Sequence, residues 1–131
     1  MTDLALLVLR LGIGVMFFAH GLQMGLGKLG GPGVAGFAKM LEGMGFAPAL
    51  VWSYLAGYTT LIGGLFLILG IAPRFSAFSL FIFILVAAYK VHLSKGFFLQ
   101  SGGFEYNFVI ASACLALVIA GAGKYSLWNK F

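Results

Sequence analysis

Four runs of this chain, at about residues 4–22, 49–70, 75–91 and 106–121, are apolar almost without a break, and they decide which solvent the fold can have. A bilayer hydrocarbon core of about 30 Å is crossed by about 20 helical residues rising about 1.5 Å each. The strands of a membrane barrel would alternate apolar and polar positions, which these runs do not. In lipid each backbone N–H and C=O must be paired within its own segment, so the runs are predicted to be helices. Composition agrees. Hydrophobic residues make up 62% of the 131 and charged residues 8%, against about 45–50% and about 25% in soluble domains. A chain of this length cannot hide so much hydrocarbon from water. The expected fold is all-α, an integral-membrane four-helix bundle running up-down-up-down, with 1–131 as one transmembrane domain. Asp3 stands where a leader would be basic, and no small-residue cleavage site follows the first run. That run is therefore expected to be retained rather than cleaved.

The connections are legible too. Residues 25–48 are Gly-rich and too polar to cross. Within them Phe37, Met40, Leu41 and Met44 recur at helical spacing with Lys39 and Glu42 off that face, which predicts a short interfacial helix. A tight turn is expected at Pro73–Arg74, and a flexible or sharply turned loop over 93–104, with Gly96, Gly102 and Gly103. Gly12, Gly14, Ala19 and Gly21 in the first span, with Gly57, Gly63 and Gly64 in the second, would let helix backbones approach closely. Trp52, Tyr54, Tyr125 and Trp128 fall near span ends, as interfacial aromatics do.

The formal charge is +5, from eight Lys and Arg scattered singly. No stripe suits a nucleic-acid backbone, and the cations are expected to meet lipid headgroups. Arg10, Arg74, Lys124 and Lys130 fall on one membrane face and Lys28, Lys39, Lys90 and Lys95 on the other. That tie leaves the orientation undetermined by charge. Cys114 alone makes neither an intrachain disulfide nor a metal site, and is expected to pack as a small hydrophobe.

Ionisable groups within spans need a reason. Arg10 lies about six residues into the first span. It either snorkels to the near interface, or faces inward to hold an anionic or carbonyl-bearing ligand or another helix. At the other membrane face the tracing brings together His20 and Gln23, Lys90 and His92, and Glu105 and Tyr106. Such a cluster has the donors and titratable groups for a proton-exchanging ligand pocket. His20, His92 and Glu105 also have the makeup of a two-His-one-carboxylate site, but no ligand spacing supports one, and no metal is assigned. The plainer alternative is that these groups anchor helix ends and bond one another. Phe97 and Phe98 are candidate ligand-stacking rings. Tyr58, Thr59 and Thr60, at the middle of the second span, are taken as structural. No phosphate loop, dinucleotide turn or hydrolytic triad is present.

These residues resemble the DoxX family of small four-helix membrane proteins. The resemblance runs from about Leu4 to Leu127 and is carried by His92-x-x-x-Gly96-Phe97-Phe98-x-x-x-Gly102-Gly103-x-Glu105-Tyr106. Arg10-Leu11, Phe17-x-x-His20-Gly21, Gly63-Gly64, Leu69-Gly70, Arg74 and the Gly121–Ser126 ending support it. The chain departs from the family pattern at Thr60, often a carboxylate, at Met24, often a lysine, and at Ala122 and Trp128 in the closing turn. The resemblance implies a multi-pass inner-membrane subunit of a quinone-linked oxidoreductase system. Quinone is the ligand it implies, and redox partner subunits or a homo-oligomer the company. The chain has no haem, flavin or iron–sulfur ligand set of its own, so electrons would come from a partner. The contrasting expectation is a non-catalytic scaffold or small-lipid carrier.

Overall fold

The computed structural model describes all 131 residues, Met1–Phe131, and is helical apart from turns and one isolated β-bridge. Helix α1 spans Thr2–Leu26, α2 Gly33–Gly43, α3 Ala49–Leu69, α4 Pro73–Ala87 and α5 Glu105–Ala120. Proline starts α4, where its missing N–H costs no helical bond. Beyond Ala87 the path continues as a π turn, Ala88–His92, and a 3-10 turn, Leu93–Lys95. α1, α3 and the path Pro73–Lys95 are long and apolar enough to cross a membrane. The fourth apolar run forms the 16-residue α5, about 24 Å long at about 1.5 Å per residue and so short of a full hydrocarbon core.

Lipid as solvent explains the burial pattern. Only 27 of 131 residues are buried, while Val8 and Val15 on α1, Leu55 and Ile62 on α3, Phe78 on α4 and Val109 on α5 are exposed. In water that surface would aggregate; in hydrocarbon it is solvated. The interior is one cluster built on Phe17, Leu67, Leu80, Ile84, Ile110, Cys114 and Leu117. Cys114 packs there as a small hydrophobe, fully buried.

The tightest seam is α1 against α3. They run antiparallel: Gly14 meets Gly64, Gly21 meets Leu61 and Gly25 meets Gly57 in descending order along α3. A methyl group on Gly21 would overlap the Leu61 backbone, and one on Gly64 would stand 2.5 Å from Phe18 N. Backbone contact of this kind is what holds helices together where lipid removes the hydrophobic drive. Gly12, of the same small-residue set, has no neighbour within 4 Å of an added Cβ and takes no part.

The segment after α5 returns to the end of α3. Gly70 adopts the left-handed conformation (φ 73) that ends α3. Leu127 N–H donates to Leu69 O at 3.1 Å and Trp128 N–H to Gly70 O at 3.0 Å, while Ala72 N–H donates back to Trp128 O at 3.0 Å. Carbonyls left over at a helix end must find donors somewhere, and here the closing segment supplies them. The short helix expected in the first connection is present as α2. It lies against α3, where Ser53 Oγ donates to Val34 O at 2.7 Å. Leu41 is buried, and Phe37, Met40, Leu41 and Met44 turn toward a cavity between α2, α3 and α4.

Candidate functional site

The predicted polar residues do not all meet. Arg10 lies at the opposite end from the rest. It is 1% exposed, and donates from Nε to Leu67 O and from an NH group to Ala122 O, both at 2.9 Å. Of the alternatives for Arg10, the structure has the inward cation that holds another helix, clasping the end of α3 to the closing segment. Arg74 plays a weaker part nearby, donating to Ile119 O at the end of α5 at 3.4 Å.

At the other end His92, Phe97, Phe98 and Glu105 belong to one loop closed by its own hydrogen bonds. His92 Nδ1 lies 2.7 Å from Gly102 O; a carbonyl only accepts, so the proton is on Nδ1. The Glu105 carboxylate accepts Leu99 N–H at 2.9 Å. Backbone bonds Phe104 N–H to Gly96 O and Glu105 N–H to Phe97 O, at 3.0 and 2.7 Å, close the loop on itself. The Phe97 ring meets Phe98, Phe104 and Phe108 edge-on at 5.4, 5.2 and 6.2 Å, so its neighbours are rings of its own chain. The His92-to-Tyr106 block is thus first a loop-folding motif. Replacing His92 or Glu105 by alanine is expected to destabilise this loop by about 1–2 kcal/mol each. Glu105→Gln, whose amide oxygen still accepts, should lose less. Cleavage rates between Lys95 and Ser101 under limited proteolysis would check the order.

Gln23 donates to Leu29 O in its own connection at 3.2 Å. His20 and Tyr106 are exposed. No group of three His, Cys, Asp or Glu side chains is gathered that could hold a metal. Asn107, not among the residues expected at the site, is 4% exposed and its Oδ1 has no hydrogen-bond partner. It shares the α5 stripe of Ile110, Cys114 and Leu117, so helical spacing is the signal that could have found it.

Lys90 is set apart from the loop. It projects from the π turn of the α4 path at the mouth of a cavity of about 510 Å³. Phe37 and Met40 of α2 and Met44 just after it roof this cavity, Trp52, Leu55 and Thr59 of α3 form one wall, and Ile82, Phe83 and Val86 of α4 the other. Fourteen of its 17 lining residues are hydrophobic, and Lys90 is its only charged one. The ammonium rests 5.6 Å from the Phe46 ring centre and 5.9 Å from that of Tyr89. Of the chain's three side-chain carboxylates, Asp3 accepts Lys124 N–H at the far face, Glu105 accepts Leu99 N–H, and Glu42 is exposed on α2 and does not line the cavity. A second cavity of about 550 Å³ continues along the α3–α4 seam and shares Leu55, Thr59 and Ser79 with the first. Thr60, by contrast, is buried and bonds Ala56 O and Gly57 O at 2.9 and 3.0 Å, as expected of a structural threonine. An apolar crevice with one ammonium at its end suits a lipophilic ligand with a polar head.

Comparison with known proteins gives a family and no activity. The family model described as DoxX matches residues 5–93. A Haemophilus influenzae protein described as uncharacterized is 33% identical over 130 residues, covering 96% of this chain and 82% of its own. A second uncharacterized protein from that organism is 31% identical over 130 residues, covering 94% and 87%. No solved structure matches the chain. The family match takes in every residue lining the two cavities and ends before most of the 93–106 loop block.

Proposed function

The chain belongs to the DoxX family and is a membrane protein, and from that premise we propose that it serves as the quinone-binding membrane subunit of an oxidoreductase system. In this reading α5 crosses with the other three apolar helices, completing an up-down-up-down bundle in the inner membrane. The observation that carries the proposal is the lipid-side cavity of about 510 Å³ with Lys90 as its only charged group. A quinone head is a flat, apolar ring with two carbonyl acceptors. The ammonium of Lys90 can donate to one of them, and Trp52, Phe46, Met40 and Met44 supply ring-sized apolar contact. Bound there, a quinone would supply two-electron carrier chemistry that the polypeptide lacks. The residues of the chain bind it, orient it and exclude water, and electrons enter from a partner protein.

The second reading has an observation of its own. Arg10, Gln23, His92 and Glu105 all bond backbone groups of this chain, which is how a scaffold with no ligand would use them. Extraction of gently purified protein and chromatography for isoprenoid quinone separates the two. The quinone reading predicts quinone in stoichiometric amount, with affinity falling roughly tenfold in Lys90→Ala as one charge-assisted hydrogen bond is lost. Background quinone in folded wild-type protein reconstituted with added quinone would favour the scaffold.

A further inference from the structure

The two cavities are one groove. They share Leu55, Thr59 and Ser79, and the lining runs from Trp52 to Phe66 on α3 and from Lys90 back to Phe75 on α4. At about 1.5 Å per residue each stretch is about 21–22 Å long, more than half of the roughly 30 Å hydrocarbon core. Its polar end is at Lys90, beside the roof of α2; its other end lies among Ile62, Phe66 and Phe75. The walls are exposed rather than sealed: Leu55 is 53%, Ile82 45% and Phe75 66% accessible. The α1–α3 seam has no such opening, because its glycines bring the backbones into contact.

We infer that the α3–α4 seam is a lateral, tail-binding groove, so that the ligand is a long-chain prenyl or acyl amphiphile which enters from the bilayer with its head at Lys90. This rests on the quinone reading for the head and adds the tail. A small ligand from water would need only the chamber under α2. A groove that continues past Thr59 and Ser79 toward the opposite leaflet, lined by Ile62, Phe66 and Phe75 with the Ser76 hydroxyl already bonded to Ile71 O, fits a chain that the membrane already solvates. Its entry exchanges lipid-tail contacts for wall contacts and uncovers no polar group. Selectivity among tails then comes from fit to the walls, and anchorage from the head at Lys90.

Trp52 lines the head chamber and Trp128 lies at the other end, against Gly70 and Ala72, which gives a built-in reporter. In Trp128→Phe protein in nanodiscs, quenching of Trp52 is titrated with a quinone bearing several isoprene units and with its tailless analogue. Concentrations are expressed as mole fraction in the bilayer, so that partitioning cancels. The groove predicts that the tailed form binds at least about tenfold more tightly. It also predicts that Ile62→Phe, which fills the tail section, and Ile62→Lys, which places a charge in it, each abolish that preference while leaving the tailless affinity unchanged, because Ile62 does not line the head chamber. The retained tailless binding shows that those variants are folded. Equal binding of both analogues, or a preference that survives both substitutions, overturns the tail groove and leaves the quinone reading standing. Specific quenching by neither analogue overturns both.

Discussion

Arg10→Ala is expected to destabilise the protein by on the order of 3 kcal/mol. Hydrogen bonds to a charged donor contribute about 1.5–3 kcal/mol each, and Arg10 makes two of them, at 2.9 Å, while almost fully buried. Removing the guanidinium relieves its own burial, which offsets part of the loss. What remains is the cost of two carbonyls, Leu67 O and Ala122 O, deprived of a charged donor where lipid offers no water in exchange. Arg10→Lys should recover no more than half. An ammonium is a point charge and cannot span two carbonyls on separate segments as a guanidinium does. Denaturation in mixed micelles, followed by Trp128 fluorescence near the clasp, would measure both variants. A loss below about 1 kcal/mol for Arg10→Ala would mean the clasp is incidental.

Gly21→Val is expected to cost about 3 kcal/mol or more, at the upper end for overpacking. The added Cβ overlaps Leu61 backbone atoms, which cannot rotate away as a side chain does. α1 and α3 would have to part along the whole Gly14–Gly25 stretch, losing the contact at Gly57 and Gly64 as well. Gly12→Val provides the control within the same helix. Its Cβ meets nothing within 4 Å, and the effect should stay within about 0.5 kcal/mol. Equal destabilisation by the two substitutions in the same denaturation assay would contradict the α1–α3 packing.

Much of the architecture is legible in the sequence because lipid leaves so few choices. The apolar runs mark the helices to within a few residues; α3 begins at Ala49 as expected and α5 at Glu105 instead of residue 106. The expected first span is shorter than α1, since Thr2 and Gln23–Leu26 continue the helix past the apolar run; polarity signals where lipid ends rather than where a helix does. The third run, expected as one span to Val91, is α-helical only to Ala87, and a π turn then carries Lys90 and His92. A π turn depends on what packs against it, and no residue type signals it.

The site is harder to read, for a different reason. The sequence displays side chains, but the partners of Arg10, Gln23, His92 and Glu105 are backbone carbonyls and an amide, which no residue letter records. A cluster of polar letters at one membrane face therefore resembles a pocket, although His92 and Glu105 bond within their own loop and Gln23 within its own connection. The groove has the opposite fault. Its walls are ordinary membrane residues such as Leu55, Ile82 and Val86, and its distinguishing property is the opening left between α2, α3 and α4, which only packing reveals. The one local clue is the spacing of Phe37, Met40, Leu41 and Met44, whose apolar face covers the cavity.

Quinone binding between α2, α3 and α4 is tested most directly by photo-crosslinking. A long-chain quinone carrying a photoreactive group on its ring is added to protein reconstituted into nanodiscs, and adducts are mapped by mass spectrometry. Adducts are expected on α2 and on the α3 and α4 walls, at Met40, Met44, Trp52, Leu55 or Val86, competed away by unlabelled quinone and depleted in Lys90→Ala. Adducts confined to the 93–104 loop or the outer face of α5, or labelling that unlabelled quinone leaves unchanged, would contradict a quinone site at Lys90.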